Sequence, residues 1–445
     1  MKFVLYSILF LLSNKKASGN QFPTIGLTSH LPASLGKSNT PLAGWKRRRV
    51  DACAQYKKAA AAACFPVRSS LPVVGGEYAF AVTVGLGTPP TTKSLILDST
   101  TDIMWTQCMP CLVNFRPQRE PIFDPHKSSS YSALPCKSPQ CSLLDDETQF
   151  GPSCSPQRKC VYYAADSYYT GSIGFLSMDK LSLHPVNTNS KSSTTADMLF
   201  GCSQSSWGDV VGLEAGYMGL GKGNLSIVSQ TAANGYFSYC LPSNTTSQGF
   251  LALGKGSCDD RYNTNTTKFT PLIASPESDT YSSSYFIDTI SIAVDGRNLE
   301  ISPAVFSGGT LIDTVSTFGL LPPQAYAPLS HEFKKQMINH YRFTSAPPHT
   351  TKHNYTLDTC FFTPKPNTTK PTSVPVVTFT FRDNVEVDLD AAGTLFVVNE
   401  SIVCLAFMGD TNNPPVVFAN TQQKTYEVVF DVAGNRVRFV PNRCP

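Results

Sequence analysis

The chain has 445 residues, 41% of them hydrophobic and 15% charged. That content suits a compact protein with a large core and excludes a disordered one. The formal charge of +4 is unevenly spread: residues 1–70 carry 11 Lys/Arg against the single acid Asp51, or +10, and the remainder carries 25 bases against 31 acids, or −6. A basic leader before an acidic body argues against nucleic-acid binding and fits a basic segment that covers an acidic cleft until it is removed.

Met1-Lys2 followed by the apolar run Phe3–Leu12 reads as a signal peptide over residues 1–19, with a small-residue exit near Ala17-Ser18-Gly19. No other apolar run reaches the length of a membrane span, so no membrane contact is expected after signal removal. Residues 20–70 are small, polar and basic, with an alanine run at 59–63, and read as a prosegment. The chain has 14 Cys; Cys53 and Cys64 lie in the leader, and 12 remain in the body. Six of these fall between Cys108 and Cys160, and six Asn-x-Ser/Thr sequons start at Asn224, Asn244, Asn265, Asn354, Asn367 and Asn399. Both features suit an oxidising, secretory route. Cys108-Met-Pro-Cys111 has the form of a redox or zinc pair, but seven His and no second matching pair argue against zinc.

From Gly76 the texture becomes that of short strands. Glu77–Gly85 alternates, and Gly87-Thr-Pro-Pro90 makes a turn. Further strands are expected at 376–381, 394–398, 402–407 and 426–430, with Gln324–Lys335, after two prolines, as the best helix. One pattern occurs twice, 215 residues apart. Leu95-Ile96-Leu97 leads into Asp98-Ser99-Thr100-Thr101, and Thr310-Leu311-Ile312 leads into Asp313-Thr314-Val315-Ser316. A lone Asp at a strand end is ordinarily a turn or cap residue. Duplicated, the pattern points to an old internal repeat that delivers two carboxylates to one water, one acid protonated and the other ionised.

Longer motifs extend the pattern. Gly76-Glu77-Tyr78 precedes Gly87-Thr-Pro-Pro90, and Asp98-Ser-Thr-Thr-Asp102-Ile-Met-Trp105-Thr-Gln-Cys108-Met-Pro-Cys111 follows. Phe200-Gly-Cys202, Gly219-Leu-Gly-Lys-Gly223, Phe237-Ser-Tyr-Cys240-Leu, Val403-Cys404-Leu-Ala-Phe and Asn442-Arg-Cys444 complete the set. Over residues 76–445 the chain resembles the pepsin-like aspartic proteases, and within them the plant nepenthesin-like group. The resemblance implies an all-β fold with small helices: two antiparallel β lobes, 76–262 with a cysteine-rich insertion and 268–445, around a central cleft. It also implies a Cys360–Cys404 disulfide. The function implied is a secreted or vacuolar aspartic endopeptidase, made as a precursor and working at acidic pH. Asp98 and Asp313 would be catalytic. Ser99 and Thr314 would grip the opposite lobe, and Thr101 and Ser316 would bond the outer oxygens of the two acids. No metal or organic cofactor is required. The expected partners are an extended peptide or protein substrate and the chain's own prosegment, with the protein a monomer.

Three departures from the family pattern bear on activity. The third residue of each acid loop is Gly in the family and is Thr100 and Val315 here; β-branched residues there would cost on the order of 1–2 kcal/mol if the backbone were left-handed. Ala419 stands where the second loop's glycine is expected. The flap tyrosine aligns with Asp166, leaving Tyr162, Tyr163, Tyr168 and Tyr169 as alternatives. The side chains that bond the acids imply an active pair, whereas these changes imply a strained one. The alternative function is therefore a catalytically impaired binding protein on the same scaffold, for example an inhibitor of secreted xylanases. Gly216–Gly223 nearly spells a phosphate loop but ends in Gly without the hydroxyl that would hold magnesium, and no G-x-S-x-G serine elbow occurs.

Overall fold

Runs rich in Val, Ile, Leu and Phe, broken by Gly, Pro, Asn and Ser, become short strands buried on one or both faces. The computed structural model describes residues 63–69, 79–144, 153–165, 170–183, 194–208, 212–231, 233, 235–243, 247–254, 268–276, 282–351, 354–363, 373–410, 415–441 and 444. Residues 1–19, expected from sequence to be a signal peptide, residues 20–62 of the basic segment and most of the stretch between the halves lie outside them. No helix among the described residues is long and apolar enough to cross a membrane. The longest, Pro323–Asn339, begins where two prolines preset the first turn and buries Ala325, Leu329, Phe333 and Met337, an i, i+4, i+8 face.

The strands expected from sequence are present at Phe80–Leu86, Val377–Phe381, Leu395–Asn399, Ile402–Leu405 and Glu427–Asp431. Ala63–Ser69, the end of the basic segment, is also a strand; it lies antiparallel between Gly249–Leu253 and Phe80–Leu86.

The two halves repeat one topology. In the first, Gly216–Gly219 runs parallel to Thr91–Asp98 on one side and antiparallel to Trp105–Gln107 on the other. In the second, Val416–Phe418 runs parallel to Thr310–Ile312 and antiparallel to Gly319–Leu321. The registers agree with the sequence repeat: Trp105 pairs with Tyr217, and Leu320, 215 positions after Trp105, pairs with Val417. Each acid therefore lies at or just past the end of a strand, where a second strand pairs alongside it.

The halves are joined by a continuous sheet. Tyr236–Cys240 of the first pairs antiparallel with Glu427–Asp431 near the C-terminus, and Cys240 is disulfide-bonded to Cys444. Phe237 stacks on Phe430 with centroids 4.6 Å apart, and Tyr285 lies against the same ring at 4.6 Å. One apolar core runs through both halves.

Five disulfides link described cysteines: 108–202, 136–154, 141–160, 240–444 and 360–404. Cys108 bonds Cys202, so the C-x-x-C sequence does not close as a redox pair. The Cys360–Cys404 pairing implied by the family resemblance is present.

Candidate active site

Asp98 ends the strand Thr91–Asp98 and Asp313 directly follows Thr310–Ile312; both are almost wholly buried, at 1% and 0% exposure. Their loops are tied across the halves by reciprocal bonds. The Ser99 N–H donates to Thr314 Oγ1 at 3.0 Å, and the Thr314 N–H donates to Ser99 Oγ at 3.1 Å. The Ser99 hydroxyl donates to the Ile312 carbonyl at 2.9 Å, and the Thr314 hydroxyl to the Leu97 carbonyl at 2.8 Å. Two residues 215 positions apart thus satisfy each other's buried backbone, which leaves the loops little freedom to separate.

Both carboxylates are held at both oxygens. Asp98 Oδ2 accepts from the Thr101 hydroxyl at 2.6 Å; Oδ1 accepts from the Thr100 N–H at 2.8 Å and the Thr100 hydroxyl at 2.7 Å. Asp313 Oδ2 accepts from the Ser316 hydroxyl, and Oδ1 accepts from the N–H groups of Val315 at 2.7 Å and Ser316 at 3.1 Å. Burial pushes the Asp313 carboxyl above the usual carboxylate range, and the charge of Asp98 adds to that push, while the bonds from Ser316 and Val315 pull the other way. Ser99 and Thr314 thus bond the opposite loop, and Thr101 and Ser316 each bond Oδ2 of the acid of their own loop.

The expected strain is absent. Neither Thr100 nor Val315 has a positive φ, so their branched side chains meet no left-handed penalty. Thr100 spends its hydroxyl on Asp98, and Val315 packs against the first half's cluster that includes Ile96, Trp105 and Tyr217. Ala419 is extended, with φ −78° and ψ 175°, and its methyl packs with Phe286, Leu311 and Val417. Its counterpart Gly219 has no such room: a Cβ there would lie 2.2 Å from the Asp102 carbonyl oxygen.

The hairpin formed by Cys160–Ala165 and Gly171–Leu183 overhangs the first acid. Its Ala164, Ala165 and Thr170 line a small pocket with Asp98, Thr101, Trp105 and Tyr217. The Trp105 and Tyr217 rings stack at 5.2 Å. Tyr162 is fully buried, shares a hydrogen bond with Ser172 and covers Gly201, while Tyr163 packs on Trp207. Tyr162 is thus a core side chain. Asp166, Tyr168 and Tyr169 lie outside the described residues.

Several supporting groups carried no signal of their own in the sequence. Gln423 donates to the carbonyls of Asp313 and Phe418, each at 2.8 Å, and accepts from the Tyr239 hydroxyl at 2.5 Å, linking the second loop to the first half. The Asn420 amide reaches the carbonyls of Thr314 and Val315. Asp102 is a third buried acid: it accepts from the Gly223 N–H at 2.7 Å and from the Ser283 hydroxyl. Burial pushes its carboxyl up to about 6, helped by the charge of Asp98 and opposed by those two hydrogen bonds and by Lys222. The phosphate-loop resemblance dissolves here: Gly216–Gly219 is a strand, and Gly221 packs against Asp102.

Paired acid loops, each backed by a crossing strand and each tied to the other by hydroxyl groups, define the pepsin-like scaffold. Two family profiles match, described as Xylanase inhibitor N-terminal over residues 80–255 and Xylanase inhibitor C-terminal over residues 284–441. The aspartyl protease AED1 of Arabidopsis thaliana is 36% identical, the match covering 97% of this chain and 88% of that one. Aspartic proteinase nepenthesin-2 of Nepenthes gracilis is 32% identical over 84% of this chain and 80% of its own. Among solved structures, edgp shares the fold with a TM-score of 0.68 at 21% identity, covering 85% of this chain and 94% of that one. Basic 7S globulin from soybean does so at 0.64 and 20% identity, covering 85% and 96%. The chain belongs to the pepsin-like aspartic protease family, in its nepenthesin-like plant group.

Proposed function

We propose that the protein is a secreted or vacuolar aspartic endopeptidase that cleaves extended peptides at acidic pH. One acid of the Asp98–Asp313 pair, ionised, takes a proton from a water held between them; the other, protonated, gives its proton to the scissile carbonyl oxygen. The oxygen of that water bonds to the carbonyl carbon to give a gem-diol; the acid that took the water's proton then gives it to the amide nitrogen as the C–N bond breaks, and the other acid takes back a proton from a hydroxyl of the gem-diol, so that a carboxylic acid and an amine leave and the pair is again singly ionised. Ser99 and Thr314 keep the two loops in register, and Thr101 and Ser316 orient the carboxylates. The basic segment before residue 70 serves as the prosegment over the acidic body, and the active form is a monomer.

The observation that carries this reading is the reciprocal Ser99–Thr314 bonding, with each carboxylate bonded at both oxygens. The same geometry favours hydrolysis over a purely binding role, because the residues that suggested strain are accommodated. The test is incubation of the acid-treated protein with denatured haemoglobin or casein across pH 2–6, beside Asp98→Asn. Cleavage that falls by about 10²–10⁴-fold in the variant supports the assignment. Intact substrates after incubation with folded protein would overturn it, and tight binding to a secreted xylanase would then favour the inhibitor role.

A further inference from the structure

A small sheet in the second half, built from Thr344–Ala346, Cys360–Phe362, Ile402–Leu405 and Leu395–Asn399, runs out of the core at one end. The face that buries Cys360 and Cys404 continues to Phe362 and Ile402, and there Phe362 is 43% exposed. The last strand carries one extra residue between Val397 and Asn399, and this bulge brings Asn399 opposite Ile402. Ile402 is opposite Phe362 on its other side. Directly opposed side chains share a face, so Asn399, Ile402 and Phe362 form a row. Asn399 and Phe362 are two strand spacings apart, about 10 Å. The end of the Phe362 strand is tied to the same tip: the Thr363 N–H donates to the Ser401 carbonyl at 2.9 Å, and the Thr363 hydroxyl to the Glu400 carbonyl at 2.8 Å.

Asn399-Glu400-Ser401 is also one of the six sequons. Asn399 is exposed. Its Oδ1 accepts from the Ser401 N–H at 2.8 Å, while Nδ2 bonds none of the described residues. A substituted amide keeps its oxygen as an acceptor, so the turn survives a sugar on the nitrogen. We infer that Asn399 carries an N-linked glycan, and that this glycan covers the apolar row ending at Phe362. Attachment rests on the secretory part of the proposed function and is independent of the hydrolase part. Nδ2 bonds to the anomeric carbon of an oligosaccharide delivered as a lipid diphosphate. The bond from that carbon to the diphosphate oxygen breaks, the lipid diphosphate leaves, and the amide gives up one proton. An exposed apolar row at a sheet end invites association, and a bulky, solubilising group two strands away closes it.

The experiment uses the full chain expressed in insect cells with its own leader and, in parallel, with a host signal peptide in place of residues 1–19. Peptides are mapped by mass spectrometry after enzymatic glycan release in oxygen-18 water, which turns each glycosylated Asn into labelled Asp. The label is expected at Asn399. Asn399→Gln and Ser401→Ala should each lose one glycan; the second keeps the N–H that Asn399 accepts. Both variants should bind more of the apolar-surface dye ANS and self-associate at lower concentration than the parent, and adding Phe362→Ser should reverse both changes. Unlabelled Asn399 in protein carried by the host signal overturns the site alone. Loss of the glycan with unchanged dye binding overturns the covering role. A chain that its own leader does not bring into the secretory route overturns the secreted reading and the modification with it.

Discussion

Val315 sits on the second acid loop, yet its side chain packs against the apolar cluster of the first half that includes Ile96 and Tyr217. A glycine there would remove a cross-half contact and add backbone entropy to the unfolded chain. Val315→Gly is expected to lower stability by about 1–2 kcal/mol, read by denaturant melting, with no gain in proteolytic rate. A large rate increase would show instead that the isopropyl group blocks the water site. The two acids were legible in the sequence because the apolar-Asp-hydroxyl pattern occurs twice. The consequences of Thr100, Val315 and Ala419 were not, because a branched residue is costly only at positive φ, and φ is a property of the loop. None of the three has one. The support from Gln423 was equally hidden, since an amide that bonds the Asp313 carbonyl from 110 positions away leaves no local spacing to read.

At the scale of elements, the repeat could be read in register as well as in kind. The 215-residue offset between the acids recurs between Trp105 and Leu320, which pair with the crossing strands of their own halves. Short runs such as Thr310–Ile312 announced themselves as strands through β-branched and aliphatic residues. The strand Ala63–Ser69 did not, because its basic, alanine-rich neighbours mask it in composition, and only its seat between two partners makes it a strand. The junction of the acid strands rests on Ser99 and Thr314. Ser99→Ala removes a donor to Ile312 and an acceptor for the Thr314 N–H, both buried. A loss of about 2–4 kcal/mol is expected, within the range for leaving two buried groups unsatisfied. Thr314→Ala should cost a similar amount. The double variant should fall short of the sum, because the two residues share their bonds. Additive losses in a double-mutant cycle would mean that the two grips act independently.

For the whole molecule, the join between halves contains an acid that prefers to be neutral. Asp102, on the first half, accepts from Ser283 on the second, while the Lys222 N–H donates to the Ser283 carbonyl at 3.0 Å and the Tyr285 hydroxyl donates to Leu220 at 2.8 Å. Burial lifts the Asp102 carboxyl from 3.8 to about 6. Between these values the folded chain keeps a proton that the unfolded chain has released, so stability falls as pH rises through the window. The contribution is fully present below pH ~4 and gone above pH ~6, a difference of about 3 kcal/mol. Asp313 is shifted in the same direction and adds to the slope. The folded molecule should therefore melt higher near pH 4 than near pH 7. Asp102→Asn isolates the effect, because an amide can accept from Gly223 and donate to the Ser283 oxygen without a charge. The variant should match the parent near pH 4, exceed it near pH 7 and show a flatter melting profile between. A parent profile that rises from pH 4 to 7, or a variant with an unchanged slope, would mean that Asp102 stays ionised within the join, with Lys222 and the Gly223 amide outweighing its burial.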